Sequence, residues 1–157
     1  MGQTADPRNT EGTRAIVADY HFPQSPEQVW RALTEPALLA KWLMPNNILP
    51  VVGHRFTFQA QPMAGWDGVA HCEVLAVEPL RRLSYSWRGG NKEVQGYGQY
   101  LDTVVTWTLA AAAGGGTDVH LVHDGFTAKD DFPYNAMGNG WRTGAPAGLA
   151  RVLAELV

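Results

Sequence analysis

The stretch Trp30-Arg31-Ala32-Leu33-Thr34-Glu35-Pro36-Ala37-Leu38-Leu39-Ala40-Lys41-Trp42 decides how this chain folds. It reads as two short helices broken at Pro36, because proline disfavours helical backbone in the residue before it yet suits the first turn of a new helix. Each helix carries one tryptophan. Just upstream, Ser25-Pro26-Glu27-Gln28 is a helix start. Ser25 can cap, Pro26 fits the first helical position and Gln28 stands at capping-box spacing. Downstream, Leu38, Leu39, Trp42 and Leu43 recur at helical spacing, and Pro45 closes the second helix.

On both sides of this pair the period changes to two. Arg14 to Phe22 reads as a first strand, rich in Ile, Val and Tyr. After the helices, Arg55 to Gln59 alternates, Gly68 to Glu78 forms a longer strand closed by Pro79, and Leu83, Tyr85 and Trp87 alternate with Ser84 and Ser86. Thr103 to Leu109 repeats the pattern, and Gly114-Gly115-Gly116 turns it back into Thr117 to Phe126, where Val119, Leu121 and His123 share a face. Met63 to Asp67 reads as a turn with an aromatic tip, and Gly89 to Tyr100 as a long loop.

The last segment, from about Pro133, is helical by pattern: Met137, Trp141, Ala145, Gly148, Val152 and Leu156 make one stripe. Gly144, Pro146 and Gly148 oppose a helix, so tertiary packing must hold it, and Pro146 is expected to kink it. Strands joined by short turns pair antiparallel, each has one apolar face, and only the C-terminal helix is long enough to cover them. The expected class is α+β, a curved antiparallel sheet wrapped around that helix, with two short helices after the first strand.

Bulk properties narrow the function. At 157 residues the chain can bury a full core, and 45% hydrophobic with 17% charged residues fits a globular protein. Residues 1–13 are polar, without an apolar period, and are expected to be a flexible arm ahead of a single domain over 14–157. A net charge of −3 with no basic run argues against nucleic acid. No stretch is apolar enough for a membrane span, and the N-terminal residues lack a signal peptide's apolar segment. The lone Cys72 rules out an internal disulfide and a cysteine metal site, so a cytoplasmic location is expected.

Five phrases in order resemble the START-like (SRPBCC) helix-grip superfamily, and within it the branch named for the activator of the heat-shock-protein-90 ATPase. They are Ser25 to Trp30 with Leu33-Thr34, then Leu38 to Trp42, then Val77-Glu78-Pro79-Leu80-Arg81-Arg82-Leu83 with Tyr85 and Trp87. Val105, Trp107 and Leu109 with Gly116-Thr117 follow, and His123-Asp124-Gly125-Phe126 with Gly140-Trp141 completes the set. The resemblance implies an apolar cavity between sheet and C-terminal helix. Two segments depart from the pattern, Gly89 to Leu101 and Thr127 to Met137, and both fall where the cavity mouth belongs.

Chemical motifs are few. There is no nucleophile elbow, zinc-protease helix, phosphate loop or dinucleotide fingerprint, so no cofactor, metal or catalytic residue is assigned. His120 and His123 lie three apart on a strand and face opposite ways, so they cannot share a metal. Alternation aims Phe56, Phe58, Tyr85, Trp87, Val105, Trp107, Leu121 and His123 at the concave face, with Trp141 and Ala145 opposite on the helix. These ten are the candidate ligand-binding residues. Gly144 and Gly148 are expected on the same helix face, leaving either tight packing or open space. Asp130 and Asp131 read as solvated loop charges.

Three functions follow in order. An apolar or aromatic small molecule held in the cavity comes first. A co-chaperone-like interaction domain, with a chaperone or a second copy as partner, is the alternative that the family name suggests. Third is a cavity enzyme using His123, Tyr85 and Glu73 as acid–base groups, Glu73 and His71 sharing a strand face whose side alternation leaves open.

Overall fold

The computed structural model describes residues 13–62, 65–96 and 98–156. The expected arm over residues 1–12 lies outside them, as do Met63 and Ala64 of the predicted aromatic-tipped turn, and Tyr97. Thr13 itself opens the first strand, β1 (Thr13–Phe22). Then come α1 (Pro26–Thr34), α2 (Pro36–Trp42), β2 (Arg55–Gln59), β3 (Val69–Glu78), β4 (Arg82–Gly89), β5 (Leu101–Ala111) and β6 (Thr117–Thr127). The chain ends in α3 (Asp131–Asn139), a π-helical turn (Gly140–Gly144) and α4 (Ala145–Ala154).

All strands pair antiparallel in the order β1-β6-β5-β4-β3-β2, a curved and unclosed sheet. Only β1 reaches its neighbour by a long connection. Every strand residue that alternation aimed inward is buried: Phe56, Phe58, Tyr85, Trp87, Val105, Trp107, Leu121 and His123. A slip of one residue would have turned them all outward, so the apolar pattern fixes the register.

The helix pair forms as its residues dictate. Ser25 Oγ accepts from the Gln28 N–H at 3.3 Å, and the Gln28 side chain accepts from the Ser25 N–H at 3.1 Å. Arg31 and Glu35 add an ion pair one turn apart at 2.8 Å. Trp42 is buried and donates its indole N–H to the Ala32 carbonyl at 3.0 Å, tying α2 to α1. Trp30 is only partly buried, packed on the margin of the core, so it is less of an anchor than its position in the sequence suggests.

The C-terminal segment corrects one expectation and explains another. Gly144 is exposed, on the solvent side, whereas Gly148 faces inward. A Cβ at Gly148 would stand 3.0 Å from Trp42 Cβ, so that glycine permits α4 to lie on α2. Pro146 does not break the segment, because the helix widens before it. The Ala145 N–H reaches back five residues to the Gly140 carbonyl. In the same pattern Pro146 would serve the Trp141 carbonyl, but proline has no N–H. The Tyr20 hydroxyl on β1 donates to that carbonyl instead. Burial pushes the Tyr20 phenol pKa upward, so it remains a donor.

Candidate functional site

The His123-Asp124-Gly125-Phe126 phrase is a bulge. β6 keeps regular register with β1 up to Ala15–Asp124, then jumps to Arg14–Phe126, with Gly125 as the extra residue. Gly125 has φ of 104°, and a Cβ there would lie 3.1 Å from the Asp102 carbonyl oxygen, so glycine is the residue that fits. The extra residue resets the alternation. His123 and Phe126 both point inward, their rings 4.7 Å apart. Strict alternation misses Phe126, which is fully buried.

His123 is fully buried, and its hydrogen bonds fix its tautomer. Trp141 donates its indole N–H to Nδ1 at 3.0 Å, and indole nitrogen can only donate. The proton of neutral imidazole is therefore on Nε2, which donates to Thr103 Oγ1 at 2.8 Å. Thr103 in turn donates to the Trp87 carbonyl at 2.9 Å. This relay runs from the π-turn through β6 and β5 to β4 with each member satisfied. Burial holds the His123 pKa down near 3, so the ring is neutral at physiological pH.

Around the relay the rings interlock. Trp107 packs edge-on against Trp42 at 5.9 Å and Trp141 at 5.7 Å, and donates to the Tyr85 hydroxyl at 3.1 Å. Phe58 stacks on Trp87 at 5.0 Å, and Phe56 meets Tyr85 at 5.3 Å. Val105 and Leu121 are fully buried beside them. Burial pushes the Tyr85 phenol pKa upward. Glu73 lies on the other face of the sheet, 3.6 Å from Arg55, and His71 beside it is exposed. The trio His123, Tyr85 and Glu73 is therefore not assembled. Among the described residues no group of three or more His, Cys, Asp or Glu side chains could hold a metal ion.

Open space lies at one end of the sheet–helix layer, between the two segments that depart from the family pattern. A mostly apolar cavity of ≈ 190 Å³ is walled by Met44, Trp66, Val69, Ala70, Trp87, Leu101, Phe132, Pro133, Ala136 and Met137, with Arg88, Gln99 and the glycines at the end of β4 and in the β4–β5 loop completing its lining. A second pocket of ≈ 290 Å³ is bounded by Trp42, Leu43, Met44, Trp87, Met137, Gly140, Trp141, Gly144 and Ala145. Of the ten candidates, Trp87 borders both, and Trp141 and Ala145 border the second. Phe56 borders a polar groove of ≈ 430 Å³ with Arg55, His71, Glu73 and Arg88. Phe58, Tyr85, Val105, Trp107, Leu121 and His123 border none of these three pockets and form the floor of packed rings behind them.

Met44, Trp66, Phe132 and Met137 are the wall residues that alternation could not point to as a site, because three stand in aperiodic or helix-start segments. Met137 had a periodic signal as the first member of the helical stripe, and Phe132 and Met137 both lie in the segment expected at the cavity mouth. The mouth is also latched. Gln99 donates from Nε2 to the Lys129 carbonyl at 3.0 Å and to Asp130 Oδ1 at 2.9 Å, joining the two loops. Asp130 was expected in solvent but is buried, its other oxygen accepting from the Thr127 N–H at 2.7 Å. Asp131 is exposed and pairs with Arg14 at 2.6 Å.

Comparison with known proteins agrees with this architecture. A Mesorhizobium loti protein, MLL2253, has 37% sequence identity, with a TM-score of 0.81 over 92% of this chain and 99% of that one. Bacillus halodurans BH1534 is 25% identical, with a TM-score of 0.70 over 89% of this chain and 96% of that one. DynU16, from the dynemicin biosynthetic locus, shares the fold at 24% identity and a TM-score of 0.70, over 90% of this chain and 47% of that longer one. No curated protein matches the chain. No helix among the described residues is long and apolar enough to cross a membrane. Residues 23–154 match the family described as activator of Hsp90 ATPase homolog 1-like protein, and the chain belongs to that family within the START-like helix-grip superfamily.

Proposed function

We propose that this protein binds a small apolar or aromatic molecule at the latched end of its sheet–helix layer. The carrying observation is the ≈ 190 Å³ cavity: two tryptophans, Phe132, two methionines and aliphatic walls, with Arg88 and Gln99 as its polar side chains. Apolar walls with sparse polar anchors suit a neutral, poorly soluble ligand. The cavity occupies the β4–β5 loop and the α3 start, where this chain departs from its family, so the ligand is expected to be particular to this chain. The relay through His123 serves to hold the floor rigid, since both ring nitrogens are taken and the imidazole is kept neutral. Titration with toluene, followed by ¹H–¹⁵N shifts, tests this: perturbations should cluster at residues 44, 66, 87, 132 and 134–137. Shifts scattered over the surface, or none at saturating toluene, overturn it.

A protein-interaction reading has one observation in its favour. Leu49, Val51 and Val52 are exposed on a turn hydrogen-bonded to β3 at Val74, next to exposed Leu75. Charged substitutions there would abolish partner capture under that reading and leave toluene binding intact.

A further inference from the structure

We infer that Met44 and Met137 form a movable partition that sets the size of ligand this site accepts; the inference rests on the binding reading above. Both side chains, with Trp87, border the ≈ 190 Å³ cavity and the ≈ 290 Å³ pocket alike. They reach the boundary from opposite sides. Met44 follows the end of α2, and Met137 projects from α3. Each packs against the edge of the core yet is only partly buried, so one side of each side chain borders open space. Methionine has three rotatable bonds and a soft thioether, which lets it change shape at little cost. Trp87 sits behind them as a continuous floor, held by its stack on Phe58 and by the Thr103 bond to its carbonyl.

The sizes give the ligand class. The smaller cavity alone is comparable with the roughly 150 Å³ void known to accept a benzene ring. With the thioethers swung aside, the two spaces join along Trp87 and exceed the roughly 300 Å³ at which small-molecule pockets begin. The site then takes an extended apolar molecule of two or three rings lying across Trp87, one end against Trp66 and Phe132, the other against Trp141 and Ala145.

The test compares a one-ring probe, toluene, with an extended one, N-phenyl-1-naphthylamine, on four proteins whose folding is checked by thermal melting: the wild type, Met44→Ala/Met137→Ala, Met44→Ile/Met137→Ile and Met44→Leu/Met137→Leu. Truncation should tighten the extended probe about tenfold, roughly the 1.4 kcal/mol that corresponds to one decade, and change toluene less than about threefold. Isoleucine is stiff at χ1 and should weaken the extended probe about tenfold and toluene less than about threefold. Leucine, with two rotatable side-chain bonds and no thioether, should fall between the wild type and isoleucine. Equal changes for both probes, or an extended probe indifferent to all three variants, overturn the partition. Failure of toluene to bind the wild type overturns the binding reading itself.

Discussion

Acid should destabilise this protein through one histidine, and the size of the effect can be worked out. In the folded chain the His123 pKa is held down near 3 by burial, against an ordinary value of 6.5. Between those values the unfolded chain binds a proton that the folded chain refuses. Stability is therefore complete above about pH 6.5 and falls as pH drops towards 3. One pKa unit corresponds to about 1.4 kcal/mol, so the loss between pH 7 and pH 4.5 is about 2.5 kcal/mol from this residue alone. Urea unfolding followed by tryptophan fluorescence at pH 7, 6, 5 and 4.5 measures it, with His123→Gln as the comparison. The variant lacks the titrating group, while the exposed histidines and carboxylates remain in both proteins and cancel. The wild-type slope should exceed that of the variant by about 1.4 kcal/mol per pH unit below pH 6. Parallel pH profiles would refute the neutral buried imidazole and the relay built on it.

Other outcomes follow from the same packing. Trp141→Phe keeps an aromatic side chain but removes the N–H and part of the ring system, leaving Nδ1 of His123 unpaired, and should cost at least about 1–3 kcal/mol of stability in urea unfolding; a neutral substitution would mean the bond is not needed. Trp42→Ala should cost about 3–5 kcal/mol and Trp30→Ala distinctly less, because only Trp42 is buried against Trp107 and Gly148; equal losses would place both rings in the core. Gln99→Ala removes donors to a buried carboxylate, an interaction worth about 1.5–3 kcal/mol. Amide exchange over residues 127–130 should then quicken about tenfold or more, and unchanged exchange would dismiss the latch. Gly125→Ala should destabilise by about 1–3 kcal/mol through backbone strain, read by thermal melting.

Much of the architecture was legible because its causes are local. Ser25, Pro26 and Gln28 announce α1 by capping chemistry, and Pro36 divides the helices through a steric rule about its predecessor. Alternation placed eight side chains on the buried face since a strand residue has only two sides to choose from. What alternation cannot tell is whether an inward ring meets a ligand or another ring. The candidate site was read as a ring-lined cavity, whereas most of those rings pack on one another and the open space lies beyond them, at Trp66, Phe132 and the methionines. Trp66, Phe132 and Met44 stand in segments without a period, so only the fold brings them together with Met137. Phe126 was missed because a single glycine shifts the count by one. Asp130 was misread because its partners, Gln99 and Thr127, are supplied by the meeting of two loops.

The widened turn before Pro146 has a consequence best expressed as phase. Met137, Trp141, Ala145 and Leu149 follow one another at steps of four, and each such step overshoots a full α-helical turn by about 40°. Over three steps Leu149 would have rotated about 120° away from the line on which Met137 began, carrying a fully buried leucine towards solvent. A π-turn across Gly140–Gly144 advances less per residue and takes up part of that overshoot, so both halves of the helix keep their apolar edges on the sheet. Repeated four-residue spacing is thus the trace that under-winding leaves in a sequence. A proline placed just after it marks the carbonyl to which a donor on the first strand, here Tyr20, has to reach.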